Sequence, residues 1–300
     1  MVNAADGQIA FGTNGELVVL GVPHKRGDTQ SVRAYVLDTG SGHVMRERQW
    51  EALGTPRVLG TSGGGYAVDT TAGTILYGPR LEEEQRRTDL YVEMASFDGR
   101  RLAARTLKDK KSVWVGLDAA TLKPDGWEHS GGSGLAISQH GEANVVYVGE
   151  PTPVVSIASA GSSESVYYRP GCKQIGVHFL SESVLAVIGY DRYVVIDTQG
   201  NELMSGPAQL GHDVFTPARS ASRFALDQAV FGGDWRDNLR YEKVTVFDLP
   251  TRRAILQLKN EDLHGEDLAR SGVAVSPDGS MLAVDSWGIV KLYSLPPTSR

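Results

Sequence analysis

Short apolar runs of four or five residues recur along the chain, and most alternate with polar residues as half-buried β-strands do. Lys243-Val244-Thr245-Val246-Phe247 and Ala254-Ile255-Leu256-Gln257-Leu258 are clear cases, and Asp-x-Thr-type turns follow several such runs. The phrase "apolar pair, aspartate, then threonine" appears at Val36-Leu37-Asp38-Thr39, Leu117-Asp118-Ala119-Ala120-Thr121, Val195-Ile196-Asp197-Thr198 and Val246-Phe247-Asp248-Leu249-Pro250-Thr251. Its aspartates stand 80, 79 and 51 residues apart. The first two gaps are each twice a unit of about 40 residues, the length of one blade of a β-propeller.

Each phrase reads as the end of a third strand running into an outer hairpin. An inner hairpin precedes it. Asp278-Gly279 joins Val273-Ala274-Val275 to Met281-Leu282-Ala283-Val284, a strong short-range hairpin signal. Asn14-Gly15, Asp98-Gly99 and His140-Gly141 repeat it, with weaker turns at Ser62-Gly63-Gly64, Ser181-Glu182 and Ser220-Ala221-Ser222. These seven turns have a mean step of 44 residues. Ile75-Leu76-Tyr77-Gly78 and Ser156-Ile157-Ala158-Ser159 fall into register as third strands without the aspartate.

The pattern therefore predicts an all-β fold, a β-propeller of seven four-stranded blades forming one domain over residues 1–300. The blades are expected at about 8–53, 55–87, 88–130, 133–171, 173–208, 211–259 and 270–297. The second shows no convincing outer strand, because Leu81-Glu82-Glu83-Glu84-Gln85-Arg86-Arg87 spaces its acids and bases as an exposed helical turn does. The last lacks an outer strand where Leu295-Pro296-Pro297 ends pairing. Either Gln8–Phe11 supplies that strand or a three-stranded blade remains.

Composition narrows the function classes. Thirty-five glycines suit many tight turns, and a net charge of −6 opposes general nucleic-acid binding, which needs clustered positive charge. Cys172 is the one cysteine, so no intrachain disulfide forms. No apolar stretch has the length of a transmembrane helix. The start, Met1-Val2-Asn3-Ala4-Ala5-Asp6, shows no signal-peptide pattern, which leaves a cytoplasmic protein and a mature secreted form with an added Met both open. A monomer is the default expectation.

The chain resembles WD40-like and YVTN-like propeller repeat proteins through Gly211-His212 followed by Val246-Phe247-Asp248, and through Ser276-Pro277-Asp278-Gly279 followed by Val290-Lys291-Leu292-Tyr293. No Trp-Asp dipeptide occurs, and Phe247 stands where that family's Trp would be. The resemblance implies a non-catalytic interaction platform that binds a protein, peptide or glycan.

In a blade, turns between strands 1–2 and 3–4 lie on one face, and the 2–3 turns and blade-to-blade links on the other. The long loops Val22 to Ser31, Lys108 to Lys111, Gly232 to Tyr241 and Asn260 to Ser271 belong to the second set, so binding groups are expected there. Trp235 and Arg236, flanked by Asp234, are the residue types enriched at binding hot spots, and His212 and His264 sit on the same side. Asp262, His264 and Glu266 alternate so that they would converge on a divalent cation, though acidic loops are commonly just solvated; no cofactor is expected. The alternative is a lactonase-like hydrolase with His212-Asp213 at the channel mouth. Gly60-Thr61-Ser62-Gly63-Gly64 fits G-x-S-x-G but lies between strands, where a hydrolase elbow needs a following helix. Cys172 with His178 has no particular catalytic spacing, and the cysteine reads as a small buried hydrophobe.

Overall fold

Seven successive antiparallel meanders carry the described strands. The computed structural model describes residues 8–12, 15–21, 30–52, 57–70, 73–108, 111–129, 135–146, 153–159, 164–172, 176–189, 191–208, 214–218, 222–231, 239–260, 272–286 and 289–297. Two compact units are distinguished: Met1–Gly131 with Leu268–Leu295, and Gly132–Asp267 with Pro296–Arg300.

The first unit holds four sheets. The first runs β1 (Gln8–Phe11), β2 (Leu17–Gly21), β3 (Gln30–Leu37) and β4 (Val44–Ala52). The second runs β5 (Arg57–Gly60), β6 (Tyr66–Thr70), β7 (Gly73–Tyr77) and β8 (Glu83–Arg87). The third runs β9 (Tyr91–Ala95), β10 (Arg101–Lys108), β11 (Lys111–Asp118) and β12 (Pro124–His129).

The second unit holds the next three. They are β13 (Leu135–Ile137) to β14 (Gly141–Val146), β15 (Val154–Ser159) and β16 (Ser165–Tyr168); then β17 (Gly176–Ser181), β18 (Val184–Ile188), β19 (Arg192–Asp197) and β20 (Glu202–Pro207). The sixth sheet is β21 (Val214–Pro217), β22 (Arg223–Phe231), β23 (Leu239–Asp248) and β24 (Arg253–Asn260). The seventh, back in the first unit, has three strands among the described residues: β25 (Gly272–Val275), β26 (Met281–Ser286) and β27 (Ile289–Ser294). No helix occurs among the described residues. This is the expected all-β, seven-bladed propeller fold.

Alternation sends the two faces of each sheet into different cores. In β6, Tyr66 and Val68 join Val18, Leu20, Ala34 and Val36 of the first sheet, whereas Ala67 between them joins Leu102, Ala104 and Leu117 of the third. Phe224, Leu226 and Phe247 of the sixth sheet meet Ala186, Ile188, Tyr193 and Val195 of the fifth in the same way. Phe247 stacks on Phe224 with ring centroids 4.9 Å apart. Burying each such side chain contributes about 1.5–3 kcal/mol.

The four repeated aspartates all close outer hairpins. Asp38 Oδ1 accepts from the Gly40 and Ser41 amides at 2.8 Å each, and Asp118 Oδ1 accepts from the Ala120 amide at 3.1 Å and the Thr121 amide at 2.9 Å. Asp197 Oδ1 accepts from Gln199 and Asn201, and Asp248 Oδ2 from both the amide and the hydroxyl of Thr251. A carboxylate two to four residues ahead of free amides replaces the water they would otherwise need. These four turns place Gly42, Leu122, Gly200 and Arg252 at positive φ, and the outer turn of the second sheet, which has no aspartate, places Leu81 there. Leu81 and Leu122 tolerate the strain because both side chains are buried.

The inner hairpins carry their own recurrent chemistry. Ser96 Oγ donates to Asp98 Oδ1 at 2.7 Å and accepts from the Arg101 amide, as Ser276 Oγ does with Asp278 at 2.6 Å and Met281.

Three expectations are corrected. Residues 83–87 form strand β8, paired with β7 from Thr74↔Arg87 to Tyr77↔Glu83, and not a helical turn; the Gly78–Leu81 reversal returns the chain antiparallel before the acids begin. Gln8–Phe11 is the first strand of the first sheet and supplies no strand to the seventh. Lys108 and Lys111 are cross-strand partners, so the link between them is tight and not a long loop.

Candidate functional site

Second strands run toward the 2–3 links, and three of them carry the same four-residue pattern: Tyr66-Ala67-Val68-Asp69, Phe224-Ala225-Leu226-Asp227 and Leu282-Ala283-Val284-Asp285. In each, the alanine lies against a neighbouring strand and the aspartate sits opposite the first residue of the first strand: Arg57↔Asp69, Val214↔Asp227 and Gly272↔Asp285. Asp227 and Asp285 are 3% and 2% exposed, which is rare for carboxylates.

Asp69 is the best-defined member. Burial raises its carboxyl to about 6, against the Thr74 hydroxyl, which donates to Oδ1 at 3.3 Å, and the charge of Arg57. The Thr74 hydroxyl also accepts from the Val92 amide at 3.0 Å, which ties the second sheet to the third. Glu93, whose charge adds to the rise at Asp69, is paired with Arg105 at 2.9 Å. The Arg105 guanidinium lies 4.5 Å from the Trp114 ring centroid. The first unit thus presents a titratable, partly open carboxyl and two guanidinium groups, one of them lying over the buried Trp114 ring. Such a set suits recognition of polar groups on a partner. Sequence reasoning passed over it, although the recurring Ala-[Val/Leu]-Asp signal was present.

The residues singled out from the sequence, Trp235, Arg236, Asp234, His212 and His264, lie outside the described residues, as do Asp213, Asp262 and Glu266. Their neighbours are defined. Phe231 pairs with Leu239, so residues 232–238 link the second and third strands of the sixth sheet. His212 precedes β21, and His264 lies between β24 and β25. Among the described residues, no group of three His, Cys, Asp or Glu side chains is arranged to hold a metal ion. No helix among them is long and apolar enough to cross a membrane.

The other sequence candidates are structural. Ser62 lies in the tight β5–β6 turn, where its amide donates to Gly99 O at 2.8 Å and Gly64 N to Thr61 O at 3.2 Å. Cys172 is buried, its thiol pushed up by that burial, and its sulfur packs against Gly189. Burial lowers His178 to about 4. A thiol raised and an imidazole lowered are both neutral near pH 7, opposite to the ion pair a thiol nucleophile requires.

No protein-family model matches the chain, and no curated protein matches it. Solved structures do. Hsv2 from Kluyveromyces marxianus superposes with a TM-score of 0.60 at 12% identity, covering 98% of this chain and 93% of that one. A chain of the mitotic checkpoint complex gives 0.58 at 15% identity, covering 97% and 89%. The Dos1 propeller gives 0.51 at 12%, covering 98% and 93%. Identities this low carry the fold and nothing finer, and that fold is the seven-bladed β-propeller.

Proposed function

We propose that the protein is a non-catalytic binding module whose single propeller presents its 2–3 links and blade-to-blade links to a protein or peptide. Propellers of the WD40 type typically serve as interaction modules, and fold alone names no partner. The observation that carries the reading is topological: residues 232–238, with Asp234, Trp235 and Arg236, join a second strand to a third, and His212 and His264 lie in segments between sheets. Trp235 supplies apolar area, Arg236 a planar donor fork, and the histidines titratable donors.

The test is a screen of purified proteins and peptide arrays, followed by affinity measurements on variants. Trp235→Ala is expected to weaken binding by at least about 30-fold, the size of a hot-spot loss. Arg100→Ala, in the β9–β10 turn, is expected to leave it unchanged. Unchanged affinity of Trp235→Ala for every ligand found would remove the proposal.

A further inference from the structure

The seventh sheet ends on a strand whose sequence belongs one place further in. Ile289-Val290-Lys291-Leu292-Tyr293-Ser294-Leu295-Pro296 aligns residue by residue with Lys243-Val244-Thr245-Val246-Phe247-Asp248-Leu249-Pro250, the third strand and turn of the sixth sheet. The local bonding repeats as well. The Leu295 amide donates to Ser280 O at 2.7 Å, as the Leu249 amide does to Ser222 O at 2.9 Å.

Burial does not repeat. Val244, Val246 and Phe247 are 5%, 0% and 8% exposed beneath β24, whereas Val290, Leu292 and Tyr293 are all half-buried. In the other six sheets a fourth strand lies on the third; on β27 none does among the described residues. Because Leu295 N–H faces β26, alternation turns the N–H and C=O groups of Val290 and Leu292 toward the open side.

Charge says what fits there. Third-strand cations reach fourth-strand acids diagonally elsewhere: Arg33, in register with Gln49, lies 3.8 Å from Glu47, and Arg192, in register with Pro207, lies 3.5 Å from Glu202. On β27 the exposed cation is Lys291. In the sixth sheet, the position matching Lys291 is Thr245, which faces Gln257 between Leu256 and Leu258.

We infer that the open edge of β27 is a strand-addition site for an extended segment of a partner protein, with an acidic residue opposite Lys291 and apolar residues on either side of it. Backbone pairing supplies the affinity and the alternate side chains the specificity. None of the residues of β27 is among those invoked above, so its failure leaves that reading standing.

The test uses the full chain and a synthetic octapeptide of residues 253–260 carrying Gln257→Glu, with Gln257→Lys as its counterpart, followed by amide hydrogen exchange. The Val290 and Leu292 amides are expected to exchange quickly in the protein alone and slowly with the acidic peptide. The acidic peptide is expected to bind roughly 3- to 10-fold more tightly than the basic one, and Lys291→Glu to reverse that order. Slow exchange before any peptide is added would mean that the chain covers its own edge and would overturn the inference. Protection that rises with protein concentration would assign the edge to a second copy instead. No protection at millimolar peptide would leave Lys291 and the following prolines as guards against pairing, and would equally overturn it.

Discussion

Arg223 and Asp248 face each other across β22 and β23, with Nε 3.4 Å from Oδ1 and side chains 2% and 1% exposed. Asp248 is the most buried of the four turn aspartates, and Arg223 is the largest fully buried side chain among the described residues. Burial opposes the charged carboxyl, yet Thr251 and Arg223 outweigh it and hold Asp248 below the ordinary carboxylate range. A buried pair of this kind is costly to break because the survivor stays charged in a dry site.

Arg223→Met is therefore expected to destabilise the protein by about 3–5 kcal/mol. Asp118→Ala removes a comparable turn cap at an exposed position, and is expected to cost about 1 kcal/mol or less. Chemical denaturation of the two variants checks the contrast, and equal losses would contradict it.

The pH dependence follows from two groups that pull in opposite directions. Asp69 is raised from 3.8 to about 6, so its contribution favours the fold below pH 3.8 and is lost as pH rises through 6. His178 is lowered from 6.5 to about 4, so its contribution is present above pH 6.5 and is lost as pH falls through 4. Asp69→Asn keeps an acceptor for the Thr74 hydroxyl and removes the desolvated charge. It is expected to raise stability at pH 7.5 by roughly 1–2 kcal/mol, after allowance for partial exposure, and to change it little at pH 3.5. His178→Gln is expected to flatten the loss of stability between pH 6.5 and 4. Melting temperatures across that range decide both.

Two glycines are required by close backbone approach. Gly73 has φ +105°, and a Cβ there would meet Arg87 O and Cα of Thr88. A Cβ on Gly65 would meet Tyr77 O. Neither neighbour is a flexible side chain that could swing away. Gly63 has open space around it. Gly73→Ala is expected to destabilise by more than about 2 kcal/mol and Gly63→Ala by less than about 0.5 kcal/mol. Urea titrations of the pair check it.

Hairpins were legible because their turns are chemically explicit. Asp98-Gly99 and Asp278-Gly279 announce themselves, and Gly99 and Gly279 do adopt positive φ. β8 was not legible. Glu83 and Arg86 form the 2.9 Å ion pair that a helix would also give at this spacing, and the residue that turns the chain is Leu81 at φ 60°, which no turn rule anticipates. Leu81 holds that conformation because its side chain is buried against the first two sheets, and the Arg48 guanidinium donates to its carbonyl. Arg87 does the same for Leu122 at 2.9 Å. Such links are tertiary, so a linear pattern does not contain them. The site was only half legible for a similar reason: the Ala-[Val/Leu]-Asp ends are visible as text, but the burial that raises Asp69 comes from neighbouring strands.

The last expectation concerns cooperativity. The chain divides into two compact units, one of which is built from segments at opposite ends of the sequence. Its seventh sheet packs on the first through Ala274, Ala283, Ile9, Phe11 and Leu17, so that unit cannot finish its core until residues beyond 267 have been made. A single domain is expected to unfold in one transition, with an enthalpy of roughly 200 kcal/mol near 60 °C for this length. Two units unfolding independently would instead each show about half of that. Calorimetry with and without a chelator is the measurement. A van't Hoff enthalpy equal to the calorimetric value, unchanged by the chelator, is the expected outcome; a value near half would divide the protein into two domains, and a chelator-dependent midpoint would restore the cation reading of Asp262, His264 and Glu266.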